Sequence, residues 1–460
     1  MKTPPVIVGA GPAGIRAAQT LVAYGLRPLL LDEAARAGGQ IYRRPPVEFK
    51  RPAGQLYGTE AGRAVAVHAA IDGVADRIDY RPDSLVWNAQ AGSLDVLHAP
   101  TAVTRSEPWQ RLIVATGATD RLLPVPGWTL PGVYSLGGSQ VALKFQGCAI
   151  GSKVVFMGSG PLLYLVAYQY AKAGAQVVAV LDTAGLTDQA AALPGLLTQP
   201  VTFAKGLYYL GWLQTHGVPV HRAVKPLRLL GDTHVESVVF EVGGAERTLA
   251  CDAVGFGHAL RSETQLADLL GCRFRFSPVQ RAHLPDRDAA GRSSVDGVYL
   301  AGDGAGIMGA DAAEWAGERA ALALLADEGI GIDTGRAAQL ESKLAGLMPF
   351  RRGLERAFPF PAGWAAQAPD ELVVCRCENI TAGELRQVVR QTGAREMNRL
   401  KALSRIGMGR CQGRMCGVAA AELLAHAAQV PVAQVGRLRG QAPIKPIPMA
   451  MTVAADGQGT

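Results

Sequence analysis

The sequence predicts an α/β chain: two strand–glycine turn–helix–strand units, followed by a small helical C-terminal domain organised around cysteine. Three observations carry this. Near the N-terminus, PVIVGAGPAGIRAAQTLVAYGLRPLLLDE runs apolar strand, Gly-x-Gly turn, Ala-rich helix, apolar strand and acid. The same order returns in SKVVFMGSGPLLYLVAYQYAKAGAQVVAVLD. Four of the seven cysteines crowd into VVCRCENITAGEL and GMGRCQGRMCGVA.

Composition sets the outer bounds. At 460 residues the chain exceeds a single compact core, and two to four domains are expected. With 48% hydrophobic and 18% charged residues it reads as globular. No apolar run reaches the roughly 18 residues of a membrane span. The opening MKTPPVIVGAG enters a strand at once, without an apolar signal region or a small-residue cleavage site, so a cytoplasmic location is expected. Reduced thiols follow from that, and paired cysteines then point to a metal or redox site rather than to structural disulfides. The net charge is +7, yet no basic run with interleaved aromatics occurs, which argues against nucleic acid as a partner. From residue 370 onward 12 Lys and Arg face 7 Asp and Glu, so five of the seven excess positive charges fall in the cysteine-bearing tail.

In the first unit the strand Val6 to Val8 leads into Gly9-x-Gly11-x-x-Gly14. Gly9 permits the tight turn, Gly11 lets a pyrophosphate approach the backbone, and Gly14 lets the helix close on the strand. Pro12 and Ala13 open that helix, whose N-terminus faces the phosphates. The strand Leu29 to Leu31 ends at Asp32-Glu33, and one of these acids accepts from a ribose hydroxyl. Spacing from Gly14 favours Asp32 and leaves Glu33 open. This is the Rossmann pattern. The second unit keeps Gly158, Gly160, Gly174 and a terminal Asp182, but Leu163 stands where the third glycine belongs. A side chain there widens the helix–strand contact, which counts against an NAD(P) site and favours a structural relic. Two further strands end in glycine: RLIVATGATDR, at Ala115-Thr116-Gly117, and GVYLAGDG, at Gly302-Asp303, the latter followed by a long helical pattern.

GAGPAG, the Ala-Thr-Gly strand and the Ala-Gly-Asp-then-helix stretch together resemble the FAD/NAD(P)-dependent oxidoreductases of the pyridine-nucleotide disulfide reductase fold, over about residues 1–330. The resemblance implies two three-layer Rossmann-like domains, the second inserted in the first. The FAD-binding domain would be split over 1–125 and 275–330, with the inserted NAD(P)-type domain at 126–274. Gly9, Gly11, Pro12, Ala13 and Gly14 would hold the FAD pyrophosphate, and Asp32 or Glu33 the adenosine ribose. Ala115, Thr116 and Gly117 would line the cofactor, and Gly302 and Asp303 would meet the ribityl or phosphate region. Gly39 and Gln40, within GGQIYR, would belong to a loop passing the flavin. No C-x2-C or C-x4-C pair lies in either of these domains, so disulfide reduction has no dithiol.

The tail presents C-x-C, 33 intervening residues, and C-x4-C: Cys375, Cys377, Cys411 and Cys416. Iron–sulfur clusters take four thiolates. Zinc sites more often present C-x2-C or C-x4-C pairs, and free thiols or a disulfide pair are the remaining reading. Between the pairs two short helices are expected, the first opened by a Thr381–Glu384 capping box. Gly407 and Gly409 allow backbone to approach inorganic sulfur, and Arg376, Arg410 and Arg414 flank the ligands with positive charge.

CRCENITAGEL, KALSRIGMGRCQGRMCG and the closing PIKPIPM are similar to the larger FAD subunit of heteromeric amine and imino-acid dehydrogenases. That family includes opine (octopine/nopaline) oxidases, D-hydroxyproline and proline dehydrogenase alpha subunits, and a hydrogen cyanide synthase subunit. The resemblance runs the whole length. It implies a linker at 331–369, a bacterioferritin-associated-ferredoxin-like [2Fe–2S] domain at 370–430 with the four cysteines as ligands, and an extended arm at 431–460. The arm is expected to wrap a neighbour and to be disordered past Ala454. The implied function is electron transfer. A smaller, FAD-containing, D-amino-acid-oxidase-like subunit oxidises the amine to an imine, and electrons pass through this chain's flavin and [2Fe–2S] cluster to an acceptor. FMN at a subunit interface is a further feature of such complexes, as is a small third subunit. No acid–base constellation for amine chemistry is legible, so no catalytic residue is assigned.

Two other readings are weighed. A stand-alone NAD(P)H-dependent ferredoxin or quinone reductase would use Asp182 and the second glycine turn. An assembly or iron-storage partner would use the tail alone and leave the flavin body unexplained. Cys148, Cys251 and Cys272 are expected as core thiols. The eight histidines show no HxxxH or HxxE pair, so a histidine metal site is not expected. Tyr208, Tyr209 and Trp212 read as core packing before an interface stripe.

Overall fold

The computed structural model describes residues 3–453. One five-stranded parallel sheet has the order Val298–Leu300, Leu112–Val114, Val6–Val8, Leu29–Leu31, Asp79–Arg81. Four of its five strands are apolar and buried along their length, as a parallel sheet covered on both faces requires. A second parallel sheet has the order Val220–His221, Gln176–Asp182, Lys153–Ser159, Ala253–His258, Val133–Ser135. Every strand of the second sheet lies, in sequence, between Leu112–Val114 and Val298–Leu300, which are neighbours in the first. The two chain crossings run side by side, Ala118–Asp120 antiparallel to Leu260–Ser262.

Small residues set the closest approach in the first layer. Helix Pro12–Ala23 crosses helix Ala310–Asp327 so tightly that a Cβ on Gly317 would stand 2.0 Å from the Ala13 carbonyl oxygen. The cysteine-bearing domain is a short hairpin, Val373–Cys375 with Ile380–Thr381, and helices Ala382–Thr392, Met397–Ser404 and Gly417–Ala427. Its core is continuous with that of the second sheet: Leu372, Leu423 and Leu424 pack in one cluster with Trp128, Val155 and Phe256. Trp128 Nε1 donates to the Val373 carbonyl at 2.6 Å and Trp364 Nε1 to the Pro124 carbonyl at 2.8 Å. The expected capping box is present, Glu384 N–H donating to Thr381 Oγ1 at 3.2 Å and Thr381 N–H to Glu384 Oε2 at 2.7 Å.

Several expectations are corrected. The stretch 331–369 is largely helical, over Thr334–Gly346, Met348–Ala357 and Trp364–Gln367. The second of these seats on helix Leu186–Leu196 through a glycine pair, Gly195 and Gly353. The arm beyond residue 431 lies on the chain's own body. Ile444 N–H donates to the Trp87 carbonyl at 3.0 Å, Lys445 pairs with Glu33, and Thr452–Val453 adds a parallel strand beside Val103–Thr104. A polar strand edge and an acid on the first domain thus supply the partner that a neighbour was expected to supply. The disorder expected past Ala454 falls outside the described residues. Cys251 and Cys272 are buried, but Cys148, which follows the left-handed Gly147 at a helix end, is exposed. Tyr209 is buried and Trp212 packs edge-on against Tyr168 at 5.0 Å, whereas Tyr208 is 48% exposed. No helix among the described residues is long and apolar enough to cross a membrane.

Candidate cofactor sites

The glycine turn of the first domain separates into two kinds of glycine. A Cβ on Gly9 would stand 2.4 Å from the Ala115 carbonyl oxygen, and one on Gly14 would stand 1.8 Å from the Gly9 carbonyl oxygen. Those two are required by the protein's own packing. At Gly11 the nearest protein atom to an added Cβ is the Gly39 Cα at 3.7 Å, an ordinary contact. The protein itself does not demand glycine at position 11, whereas a pyrophosphate lying on the helix N-terminus does. Gly39 in turn abuts Gly11 and Pro12, so the Gly38–Arg43 loop lies over the turn. Gln40 is exposed, and its Oε1 accepts from Arg43 at 2.8 Å.

The two candidate acids diverge. Asp32 turns inward: its Oδ1 accepts from Ala34 N–H at 2.7 Å and its Oδ2 from Ala10 N–H, inside the Gly9–Gly11 turn. Burial raises its pKa, opposed by those two N–H groups. Glu33 is exposed and paired with Lys445. Of the two, Asp32 is the one at the turn. Opposite it, Gly302 packs on Ala13, a Cβ there falling 2.9 Å from the Ala13 Cβ, and Asp303 Oδ1 accepts from Met308 N–H at 2.8 Å and Gly309 N–H at 3.1 Å. Burial raises the Asp303 pKa against these donors and the nearby Arg351 and Arg287. Gly304 closes on the Ala115–Gly117 stretch, a Cβ there lying 2.7 Å from Thr116 Oγ1. The predicted residues on the glycine turn, the Gly38–Arg43 loop, the Thr116 strand end and the Asp303 turn therefore converge, and their open glycine face and inward acid fit an adenine dinucleotide.

The second glycine turn differs. Leu163 is fully buried in the contact between its helix and the sheet. Beside it, Tyr164 donates its hydroxyl to Asp182 Oδ2 at 2.5 Å, while Asp182 Oδ1 accepts from Ala184 N–H at 2.9 Å. The acid that would receive a ribose hydroxyl has no surface exposure and is occupied by the protein. Burial pushes its pKa up to about 6. Tyr164 was not legible as a blocking group, because only the folded helix aims it at a residue 18 positions away.

The four cysteines come together. Cys416 lies against both Cys375 and Cys411, and Cys411 against Cys377. Cys375 and Cys416 are buried, Cys411 is intermediate and Cys377 is exposed. Among the described residues no three His, Cys, Asp or Glu side chains are arranged as a single-ion site. Four thiols brought together would hold a [2Fe–2S] cluster, which takes four thiolates. Proximity to Cys416 and then backbone N–H groups lower the Cys375 thiol to about 6 and the Cys411 thiol to about 5, the donors being Glu378, Cys377 and Gly407 for the first and Met415 and Gly413 for the second. The Cys416 thiol is raised by the same contacts, and burial raises Cys377. Glycine 409 is required here: a Cβ would fall 2.3 Å from the Cys377 Cβ. Preformed N–H donors and four crowded sulfurs fit a thiolate-held cluster.

The flanking arginines are redistributed. Arg376 and Arg410 are exposed, and Arg376 covers Trp128. Arg414 turns away from solvent to the Glu263 carboxylate, at 2.7 Å. The residues missed in the sequence are Arg261 and Glu263. Glu263 N–H donates to the Gly117 carbonyl at 2.9 Å, and its own carbonyl accepts from Thr116 Oγ1 at 2.7 Å. Arg261 Nη1 donates to the Gly413 and Arg414 carbonyls at 3.3 and 3.4 Å. Glu263 thus joins the Thr116–Gly117 loop to the cysteine loop.

Comparison with known proteins supplies the relatives. A family model described as pyridine nucleotide-disulphide oxidoreductase matches residues 4–317, and a BFD-like [2Fe-2S] binding domain matches residues 373–426. The chain is 36% identical over 460 residues to an opine oxidase subunit of Agrobacterium tumefaciens (strain Ach5), spanning 97% of this chain and 90% of that one. It is 34% identical to the HcnB subunit of hydrogen cyanide synthase from Pseudomonas aeruginosa, spanning 98% of both chains. The crystal structure of L-proline dehydrogenase from P. horikoshii shares the fold, with a TM-score of 0.71 at 18% identity, over 97% of this chain and 78% of that one.

Proposed function

The chain belongs to the pyridine nucleotide-disulphide oxidoreductase family, within the group that holds these opine oxidase and HcnB chains, and from that premise we propose that it relays electrons from an amine-oxidising partner. It is a flavin-dependent oxidoreductase whose cofactors are FAD and a [2Fe–2S] cluster, and it is one subunit of a heteromeric dehydrogenase. FAD takes up electrons in pairs, and the cluster passes them singly. In this reading Gly11 and the helix N-terminus beginning at Pro12 receive the pyrophosphate, Asp32 the ribose, and Thr116, Gly117 and Asp303 the flavin half. Cys375, Cys377, Cys411 and Cys416 hold the cluster.

The observation that carries the relay reading is the placement of the cysteine loop against the Thr116–Gly117 loop through Glu263, with Cys377 exposed. With the sites so assigned, the Glu263 contact would bring the two cofactors close together, and the exposed Cys377 would be where electrons leave for an acceptor. A smaller, D-amino-acid-oxidase-like FAD subunit would take the hydride from the carbon beside an amine nitrogen of an opine, proline or D-hydroxyproline. The imine so formed hydrolyses in water. The rival NAD(P)H-dependent reductase is disfavoured by Tyr164 on Asp182. Co-expression with and without the small flavoprotein subunit tests the proposal. The chain alone should reduce dyes with neither amine nor NADH, and the complex should do so with amine. Amine turnover by the chain alone would overturn it.

A further inference from the structure

Resting on that assignment of the two cofactor sites, we propose that Arg261, Glu263 and Arg414 form a buried charge knot that ties the cluster loop to the flavin loop and raises the cluster's reduction potential. Arg261 and Glu263 are two residues apart at the end of strand Leu260–Ser262. The Glu263 backbone is committed to Thr116 and Gly117. Its carboxylate accepts from Arg414 Nε at 2.7 Å and Nη2 at 3.3 Å, with only 8% and 12% of the two side chains exposed. Arg414 Nη1 reaches the Cys411 carbonyl at 3.4 Å and the Ile444 carbonyl at 2.5 Å. Arg261 forms no carboxylate hydrogen bond among the described residues. It holds the carbonyls of Gly413 and Arg414 and lies within electrostatic reach of Glu263, Cys411 and Cys416.

Two guanidinium groups and one carboxylate leave one positive charge uncompensated within the knot. The neighbouring acids do not cancel it: Asp268 is taken by Arg437 and Arg439, and Glu378 by Arg405. Lys445, within electrostatic reach of Glu263, is itself paired with Glu33 and leaves the count unchanged. A purely structural joint would be served by apolar packing, since burying charge is costly. Reduction of a thiolate-held cluster adds one electron and no proton to an already negative site. A fixed positive excess in a medium of low dielectric stabilises that added charge.

The charge argument makes a signed prediction. Glu263→Gln increases the positive excess, and Arg261→Met removes it while keeping most of the apolar stem. In the full chain, with iron and FAD content measured, an EPR-monitored titration should give a higher midpoint potential for Glu263→Gln and a lower one for Arg261→Met. Charge-keeping Arg261→Lys should stay near the parent value. Shifts of the same sign, or no shift in Arg261→Met at full iron content, would overturn the proposal. Should Glu263→Gln lose iron, Arg261→Met against Arg261→Lys still decides. The titration needs neither amine nor partner, so failure of the relay reading leaves it intact.

Discussion

At the residue scale, neighbouring glycines carry opposite expectations. Gly14→Ala drives a methyl group into the Gly9 carbonyl, and overpacking of this kind costs about 1–3 kcal/mol or more. Lower thermal stability with or without cofactor should result. The Cβ of Gly11→Val has only the Gly39 Cα near it, at 3.7 Å, so the variant should fold with near-parent stability in its apo form yet bind little FAD. Unchanged FAD content in Gly11→Val would show that the pyrophosphate lies elsewhere. Gly409→Val would push a side chain into Cys377 and should lose iron while FAD remains. The first glycine turn was legible in the sequence from its spacing between an apolar strand and a helix, whereas the contacts of Gly9 with Ala115 and of Gly409 with Cys377 appear only in the fold. Glu263 and Arg261 were not, because GHALRSETQ carries no pattern and their partners lie about 150 residues away.

At the element scale, the capping box that opens helix Ala382–Thr392 was readable from four residues, and Thr381→Ala should cost about 1 kcal/mol, measurable by chemical denaturation. The order of strands and helices in both nucleotide folds was legible from apolar runs and glycine turns. The closure of the second fold was legible only in part, through Leu163. Its acid offers a pH test. Asp182 holds its proton more tightly folded than unfolded, titrating at about 6 against an ordinary value of 3.8. Its favourable contribution is therefore complete below about pH 4 and is lost as pH rises through about 6. Asp182→Asn should flatten the stability profile across that window, and an unchanged slope would assign it to another group. The helices within 331–369 and the path of the arm were not legible in the sequence because both depend on surfaces that exist only after the two sheets have formed.

At the scale of the whole molecule, the helical tail is built into the body. It shares a core with the second sheet, meets the flavin loop through Glu263, and is strapped by an arm that reaches Glu33 beside the first glycine turn. The second nucleotide fold then serves as the platform for the tail, its ligand acid sealed by Tyr164. Electrons are expected to enter from a partner's flavin and leave near the exposed Cys377. The most direct measurement is rapid-mixing spectroscopy with freeze-quench EPR on the anaerobic two-subunit complex, comparing parent and Cys411→Ser after addition of the amine. The relay account predicts flavin bleaching in both, a reduced-cluster signal in the parent alone, and slowed acceptor reduction in Cys411→Ser. Parent-rate acceptor reduction by Cys411→Ser, in a complex shown to lack the cluster, would contradict it.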